Sequence, residues 1–109
     1  RSSDLPSTDA VIGTEAVASL QHYHFSKGFF GTNGITVEEG FTTPDIEEAM
    51  NKRVAMEHCR KCYVLADASK FEALSNVSFG PLSKGVIITA AQEGLNVRSY
   101  KQHTEVIVL

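Results

Sequence analysis

Short apolar runs separated by polar segments set the pattern of this chain. Continuous apolar runs of strand length are typical of strands buried on both faces of a sheet. The runs that we interpret as strands cover residues 28–32, 62–66, 76–79, 85–89 and 104–109. Between the first two runs, Asn33-Gly34 is a turn signal because both residues tolerate positive φ, and residues 35–41 are predicted to be an irregular loop.

One helix is marked clearly, at about residues 44–60. Thr43 suits its N-cap and Pro44 its first turn, and the acids that follow complement the positive end of the helix dipole. Shorter helices are predicted after Gly13 and over residues 90–95. Because strands and helices alternate along the chain, we predict an α/β fold with some parallel pairing in its sheet.

The segment Asp67-Ala68-Ser69-Lys70, directly after the 62–66 strand, is the first candidate for binding chemistry. In an open α/β sheet, ligands bind at the carboxyl ends of the strands, so these polar side chains could hold a small ligand. The alternative is structural, with Asp67 or Ser69 capping a short helix over residues 70–74. Position alone leaves both interpretations open.

The long helix places Lys52 among residues that are expected to face inward. Its neighbours on that stripe are Ala49, Ala55, Met56 and Cys59. Either the aliphatic stem of Lys52 covers apolar surface while its ammonium group stays in solvent, or the cation points into a cleft. A second apolar face on the same helix leaves the choice open.

Composition narrows the class of protein. At 109 residues, with 42% apolar and 21% charged residues, the chain is one small domain or part of a larger one. Its net charge is −3 and its basic residues are scattered, so the chain alone is a poor nucleic-acid binder. No apolar stretch approaches the roughly 18 residues of a membrane helix, and no membrane partner is predicted. Two cysteines favour a reducing compartment, and we predict a cytoplasmic protein.

Motifs for metals, cofactors and covalent catalysis are missing from the sequence. Cys59 and Cys62 form a C-x-x-C, but at the end of a predicted helix rather than at the start, where the dipole would activate a thiol. We expect two core cysteines; a zinc site would need further ligands such as His22 and His24. With no Walker loop, G-x-G-x-x-G or catalytic triad pattern, we predict no cofactor, no metal and no catalytic residue.

Four segments together resemble the sensor domain of the DeoR family of bacterial sugar-operon repressors. They are Phe30-Gly31-Thr32-Asn33-Gly34-Ile35, Glu39-Gly40-Phe41-Thr42-Thr43-Pro44-Asp45, Lys52-Arg53 and Leu65-Ala66-Asp67-Ala68-Ser69-Lys70-Phe71. Each segment alone is a weak signal, but four in this order and spacing are specific. The resemblance runs from Gly13 to the 85–89 strand, which is nearly the whole chain.

The resemblance implies a Rossmann-like fold of the ribose-5-phosphate isomerase (NagB-like) type, with an open, mostly parallel sheet. It also implies a protein that binds a phosphorylated sugar, which relieves repression, and that works as a homo-oligomer. Operator DNA would be bound by a winged helix-turn-helix domain that this chain does not contain. Residues 1–109 are similar to the second half of the sensor only, so we expect the DNA-binding domain and the first half to be absent.

The resemblance also implies roles for individual residues. Asp67 and Lys70 match the family's D-x-S-K motif, which includes Ser69, and Lys52 matches the lysine of the preceding helix. Asn33 and Gly34 match a turn that faces the pocket. A carboxylate can accept hydrogen bonds from sugar hydroxyls, and a lysine can neutralise a phosphate.

Two other functions stay open at this point. Ribose-5-phosphate isomerases are the related enzymes, but their catalytic acids would fall at Phe30, Asn33 and Asn51, none of which can act as a carboxylate base. The comparison therefore favours binding without catalysis. The third possibility is an assembly module, in which the apolar segment from Val106 to Leu109 joins protomers at a sheet edge.

Overall fold

The computed structural model of this protein describes residues 22–109, and it confirms the α/β class. The predicted helix after Gly13 lies outside the described residues. The elements in chain order are β1 (Phe25–Gly31), β2 (Gly34–Thr36), β3 (Gly40–Thr43), α1 (Ile46–Glu57), β4 (Cys59–Leu65), β5 (Val77–Gly80), β6 (Val86–Thr89), α2 (Arg98–Lys101) and β7 (Val106–Val108). Two short 3₁₀ helices, Ala68–Lys70 and Leu82–Lys84, lie between strands. Within the described part, no helix is long and apolar enough to cross a membrane.

The larger sheet has four strands in the order β1-β4-β6-β7, and every neighbouring pair is parallel. Its two inner strands contribute fully buried residues, Val64 and Ile87, to the core. Gly31 pairs with Leu65, which in turn pairs with Ile88, so the carboxyl ends of β1, β4 and β6 lie side by side. The segments that follow these three strands therefore meet at one edge of the sheet.

A second, antiparallel sheet has the strand order β2-β3-β5. Its first two strands form a hairpin over residues 34–43, where we predicted an irregular loop over residues 35–41. That prediction was wrong. Gly40, at φ +73°, closes the turn between β2 and β3, and a Cβ there would lie 2.3 Å from the Gly80 carbonyl oxygen. The hydroxyl of Thr42 donates to the Gly34 carbonyl oxygen at 3.2 Å, which allows a polar residue to be fully buried in the sheet.

Helix α1 is shorter than predicted at both ends. Asp45, not Thr43, caps it, since the Asp45 carboxylate accepts a hydrogen bond from the Glu48 amide at 3.0 Å. The helix ends at Glu57 because Cys59 already belongs to β4. Its outer face carries Ile46, which is 59% exposed.

The short helix over residues 70–74, which was one of two open interpretations, and the predicted helix over residues 90–95 both differ from the structure. Residues 70–74 do not form a helix; instead a 3₁₀ turn covers Ala68–Lys70. Residues 90–95 form only a turn, with the Leu95 amide donating to the Gln92 carbonyl oxygen. These six residues have no apolar stripe to bury, and short helices depend on such packing for their stability.

The Asn33-Gly34 pair is not a left-handed turn, because neither residue has positive φ. Gly34 is needed for a different reason: it begins β2 and packs against the chain that follows the 3₁₀ turn. A Cβ at Gly34 would lie 2.2 Å from the Ala73 carbonyl oxygen. Backbone atoms cannot move away as a flexible side chain can, so this contact requires glycine.

We predict that Gly34→Ala lowers the free energy of unfolding by about 1–3 kcal/mol, as expected for overpacking against backbone. Gly31→Ala is the matched control, because in residues 22–109 no atom beyond its two chain neighbours lies within 4 Å of its added Cβ. Urea unfolding of the intact protein measures both. Equal effects of the two substitutions would contradict the proposed close packing at Gly34.

Candidate functional site

An open cleft of about 910 Å³ lies beside the Asp67-Ala68-Ser69-Lys70 segment. Two segments line it. The first segment, residues 67–72 without Lys70, follows β4, and the second segment, which includes residues 92–96, 98–99 and 102, follows β6. Since β4 and β6 are parallel neighbours, both segments leave the sheet at its carboxyl edge. This is the position at which ligands bind in open α/β sheets.

Asp67 and Ser69 both line the cleft and hold each other in place. The Asp67 Oδ1 atom accepts hydrogen bonds from the Ser69 amide at 3.0 Å and from its hydroxyl at 2.5 Å. These bonds cap the 3₁₀ turn over Ala68–Lys70, so the capping role of Asp67 is confirmed, although the capped segment is not the helix over residues 70–74. The cap does not remove Asp67 from the cleft, because both bonds end on Oδ1 and Oδ2 keeps lone pairs for a ligand hydroxyl.

The pKa of the Asp67 carboxyl lies below its ordinary value. The hydrogen bond from the Ser69 hydroxyl is the main cause, and the nearby charge of Lys70 contributes less. Lys70 itself is half-buried and does not line the cleft. Of the D-x-S-K side chains, the structure thus brings the acid and the hydroxyl into the cleft and leaves the lysine beside it.

Lys52 is only 6% exposed, so the interpretation in which its ammonium group stays in solvent was wrong. Its Nζ donates to the Gly31 carbonyl oxygen at 2.8 Å, pairs with Glu48 at 3.1 Å and lies 5.1 Å from the centre of the Phe79 ring. These contacts attach α1 to the carboxyl end of β1. Paired contacts of this kind offset the cost of burying a charge. Lys52 does not line the cleft.

Asn33 and Gly34 also lie outside the cleft lining. The side-chain oxygen of Asn33 accepts a hydrogen bond from the Thr43 hydroxyl at 3.2 Å, and Gly34 is buried against Ala73. Both residues therefore connect β2 to its surroundings. Among the described residues, Asn33 and Gly34 do not share the lining of this cleft with Asp67 and Ser69.

Sequence reasoning missed the second segment, and with it Tyr100. This tyrosine is 1% exposed, and its hydroxyl contacts both the Ile35 carbonyl oxygen at 3.1 Å and the Glu72 carboxylate. Burial raises the pKa of Tyr100, and the hydrogen bond with Glu72 raises it further. In the sequence, the one sign of Tyr100 was that it is the single tyrosine between the apolar runs at residues 85–89 and 104–109.

Glu72 sits at the junction between the cleft and this tyrosine. Its backbone adopts φ +67°, a left-handed conformation that is uncommon for residues other than glycine. The Glu72 amide donates to the Ile35 carbonyl oxygen at 2.8 Å and to the Tyr100 hydroxyl at 3.2 Å, and these bonds hold the conformation. The first segment is therefore fixed to β2 and to α2.

The cysteines have the environment of core residues. Cys62 is buried and Cys59 half-buried, and both thiols are free. Burial raises the pKa of Cys62 to about 11 and also raises that of Cys59, which disfavours a reactive thiolate. Within residues 22–109, no group of three or more His, Cys, Asp or Glu side chains could hold a metal ion.

Comparison with known proteins identifies relatives of this chain. The profile of the DeoR C-terminal sensor domain family matches residues 5–91. The uncharacterized HTH-type transcriptional regulator FruR of Bacillus subtilis (strain 168) is 41% identical over 102 residues, which are 94% of this chain and 41% of that protein. The lactose phosphotransferase system repressor of Streptococcus mutans serotype c is 32% identical over 101 residues, 92% of this chain and 40% of that repressor.

A putative aga operon transcriptional repressor of Escherichia coli O157:H7 is 38% identical over 63 residues, which are 58% of this chain and 23% of that protein. The chain thus spans 41% of the Bacillus regulator and 40% of the Streptococcus repressor. The resemblance that the four sequence segments indicated is confirmed by these matches.

We predict that Ser69→Ala raises the pKa of Asp67 toward its ordinary value, because the hydroxyl that favours the ionised carboxylate is removed. Carboxyl ¹³C NMR titration measures this shift. Since the folded-state pKa is lowered, the Ser69 bond stabilises the fold above the unfolded-state pKa. That contribution is lost as the pH falls through the folded-state value.

Ser83→Ala is the control for this titration, because Ser83 is an exposed serine in the other 3₁₀ helix. It should leave the Asp67 pKa unchanged. An Asp67 pKa that is the same in Ser69→Ala as in the unsubstituted protein would show that the Ser69 hydroxyl does not control the carboxylate.

Proposed function

This chain belongs to the DeoR C-terminal sensor domain family, and from that premise we propose that it is the effector-binding part of a sugar-operon repressor. The effector is a phosphorylated sugar, and it binds in the cleft between the first and second segments. Binding relieves repression in the intact, cytoplasmic regulator. The name of one relative, a lactose phosphotransferase system repressor, supports a sugar-related signal.

The observation that carries this proposal is the placement of Asp67 and Ser69 in a cleft at the carboxyl edge of the parallel sheet. A volume of about 910 Å³ falls in the range of small-molecule sites. The second segment adds the side chains of Gln92, Asn96 and Gln102, whose amides both donate and accept hydrogen bonds. This chemistry suits the hydroxyl groups of a sugar.

In this proposal, the other predicted binding residues stabilise the cleft or its charge rather than line it. Lys52 holds the end of β1, and Asn33 and Gly34 hold β2, so each stabilises the edge on which the cleft lies. Lys70 lies beside the cleft and contributes positive potential to Asp67. A direct contact of Lys70, Lys52, Asn33 or Gly34 with the effector stays a prediction.

The proposed site binds its ligand without turnover. At the positions where the resemblance places isomerase acids, Phe30 is buried in the core, Asn51 is a buried amide, and the Asn33 amide is hydrogen-bonded to Thr43. None of these groups can take a proton from a sugar carbon as a carboxylate does. The relatives' names, which are those of transcriptional regulators, support the same conclusion.

Effector binding transmits a signal because the ligand favours one sensor conformation over another. In the intact regulator, a homo-oligomer whose DNA-binding domain lies outside this chain, that preference changes the affinity for operator DNA. Linkage requires the converse as well, so operator DNA weakens effector binding by the same factor.

We predict that Asp67→Asn weakens effector binding about 10- to 100-fold, because a charge-assisted hydrogen bond to a sugar hydroxyl is lost. Isothermal titration of the intact protein with fructose 1-phosphate and with tagatose 6-phosphate measures the affinity. Glu105→Gln is the control, since Glu105 is an exposed acid that does not line the cleft.

Three results would argue against this account. If neither sugar phosphate binds the unsubstituted protein, the proposed effector class is wrong. If Asp67→Asn binds as tightly as the unsubstituted protein, the proposed site is wrong. Conversion of either sugar phosphate to an isomer by the intact protein would favour an enzyme instead.

A further inference from the structure

The Tyr100 hydroxyl has two acceptors within reach but only one proton to donate. One acceptor is the Ile35 carbonyl oxygen, at 3.1 Å, and the other is the Glu72 carboxylate. The Glu72 amide occupies a lone pair of the hydroxyl oxygen by donating to it at 3.2 Å. Since a tyrosine hydroxyl carries one hydrogen, it can donate fully to only one of the two acceptors at a time. The same positions of the heavy atoms therefore allow two arrangements of the hydrogen bonds.

The two acceptors lie on different parts of the molecule. Glu72 lines the cleft, whereas Ile35 is the middle residue of β2 in the antiparallel sheet and is fully buried. Tyr100 is only 1% exposed, so solvent water does not compete for its proton. The direction in which the hydroxyl points thus connects the state of the cleft with the antiparallel sheet.

The Glu72 carboxylate is the stronger acceptor when the cleft is empty. Hydrogen bonds to a charged acceptor are roughly twice as strong as those between neutral groups. The Ile35 carbonyl oxygen, in addition, already accepts from the Glu72 amide at 2.8 Å. Burial and the hydrogen bond with Glu72 raise the pKa of Tyr100, so the hydroxyl keeps the proton that it donates.

The backbone around Glu72 keeps the carboxylate and the hydroxyl facing each other. Glu72 has φ +67°, and Phe71 before it forms a parallel bridge with Ile35 and meets the Tyr100 ring edge-on. A side chain other than glycine stays in such a conformation only where its surroundings fix it. A change in the bonding of the Glu72 carboxylate is therefore passed to Tyr100 rather than absorbed by movement of the segment.

We propose that Tyr100 is a positioning residue that couples occupancy of the cleft to the antiparallel sheet. This coupling rests on the function proposed above and specifies how the site is regulated. An effector hydroxyl that donates to the Glu72 carboxylate weakens its attraction for the Tyr100 proton. The Tyr100 hydroxyl then donates to the Ile35 carbonyl oxygen, and β2 is held more tightly to α2. The effector shifts the population from the first arrangement to the second.

The carbonyl ¹³C NMR signal of Ile35 in the intact protein tests this coupling, because a stronger hydrogen bond to a carbonyl oxygen moves its ¹³C signal downfield. Saturation with fructose 1-phosphate or with tagatose 6-phosphate should move the Ile35 signal downfield. Ile87, which is fully buried in β6 of the parallel sheet, is the internal control, and its carbonyl signal should stay in place.

Glu72→Gln tests the two arrangements without any ligand. It replaces the charged acceptor with a neutral amide, so the Tyr100 proton should turn to Ile35. The Ile35 signal should therefore lie downfield of its position in the unsubstituted protein, and a sugar phosphate should add no further shift.

Tyr100→Phe removes the proton, so the Ile35 signal should not respond to ligand. Tyr63→Phe is the matched control, because the Tyr63 hydroxyl makes no hydrogen bond within residues 22–109. It should respond to ligand as the unsubstituted protein does. A merely structural role of Tyr100 would lower the unfolding midpoint of Tyr100→Phe but would leave the Ile35 signal of Glu72→Gln unshifted.

An Ile35 signal that is the same in Glu72→Gln as in the unsubstituted protein would overturn the two arrangements. If a sugar phosphate binds the unsubstituted protein and the Ile35 signal does not move, the coupling is wrong and the proposed function stands. If neither sugar phosphate binds, the proposed function fails, and the coupling to an effector fails with it.

Discussion

The cleft depends on the buried hydroxyl group of Tyr100. This hydroxyl joins α2, in the second segment, to the Ile35 carbonyl oxygen in β2 and to Glu72 in the first segment. The Tyr100 ring also meets the Phe71 ring edge-on, with centroids 5.0 Å apart. A buried polar group that loses its partners costs about 1–3 kcal/mol, so the network resists separation of the two segments. Both cleft-lining segments are thus held by one side chain.

Local sequence predicted the parts of the fold that local interactions determine. The apolar runs around Val64 and Ile87 marked two parallel strands. The prediction that the first of them is buried on both faces was wrong, because Leu65 in β4 is 48% exposed. The β2–β3 hairpin was missed because Thr42, a polar residue, is fully buried and donates its hydroxyl to the Gly34 carbonyl oxygen, eight residues away in the chain. A pattern of polar and apolar positions alone does not show such a partner.

The candidate site was predictable only in its first segment. Asp67 and Ser69 were found by their position after a buried strand, and the structure places them in the cleft. Tyr100 could not be found in this way, because its place depends on its contact with Ile35, 65 residues away in the chain. The sequence marked Lys52 as a cation on an inward-facing stripe, but it did not show that the ammonium group is buried. That burial depends on two partners of the ammonium group, the Gly31 carbonyl oxygen and Glu48.

The central claim is that a sugar phosphate binds between the first and second segments without being converted. Hydrogen–deuterium exchange of the intact protein, with and without fructose 1-phosphate or tagatose 6-phosphate at saturation, tests it most directly. Ligand binding should slow exchange of the amides in residues 67–72 and 92–102 more than elsewhere in the described part of the chain. Protection that leaves both segments unchanged and appears at other residues would contradict this assignment of the site.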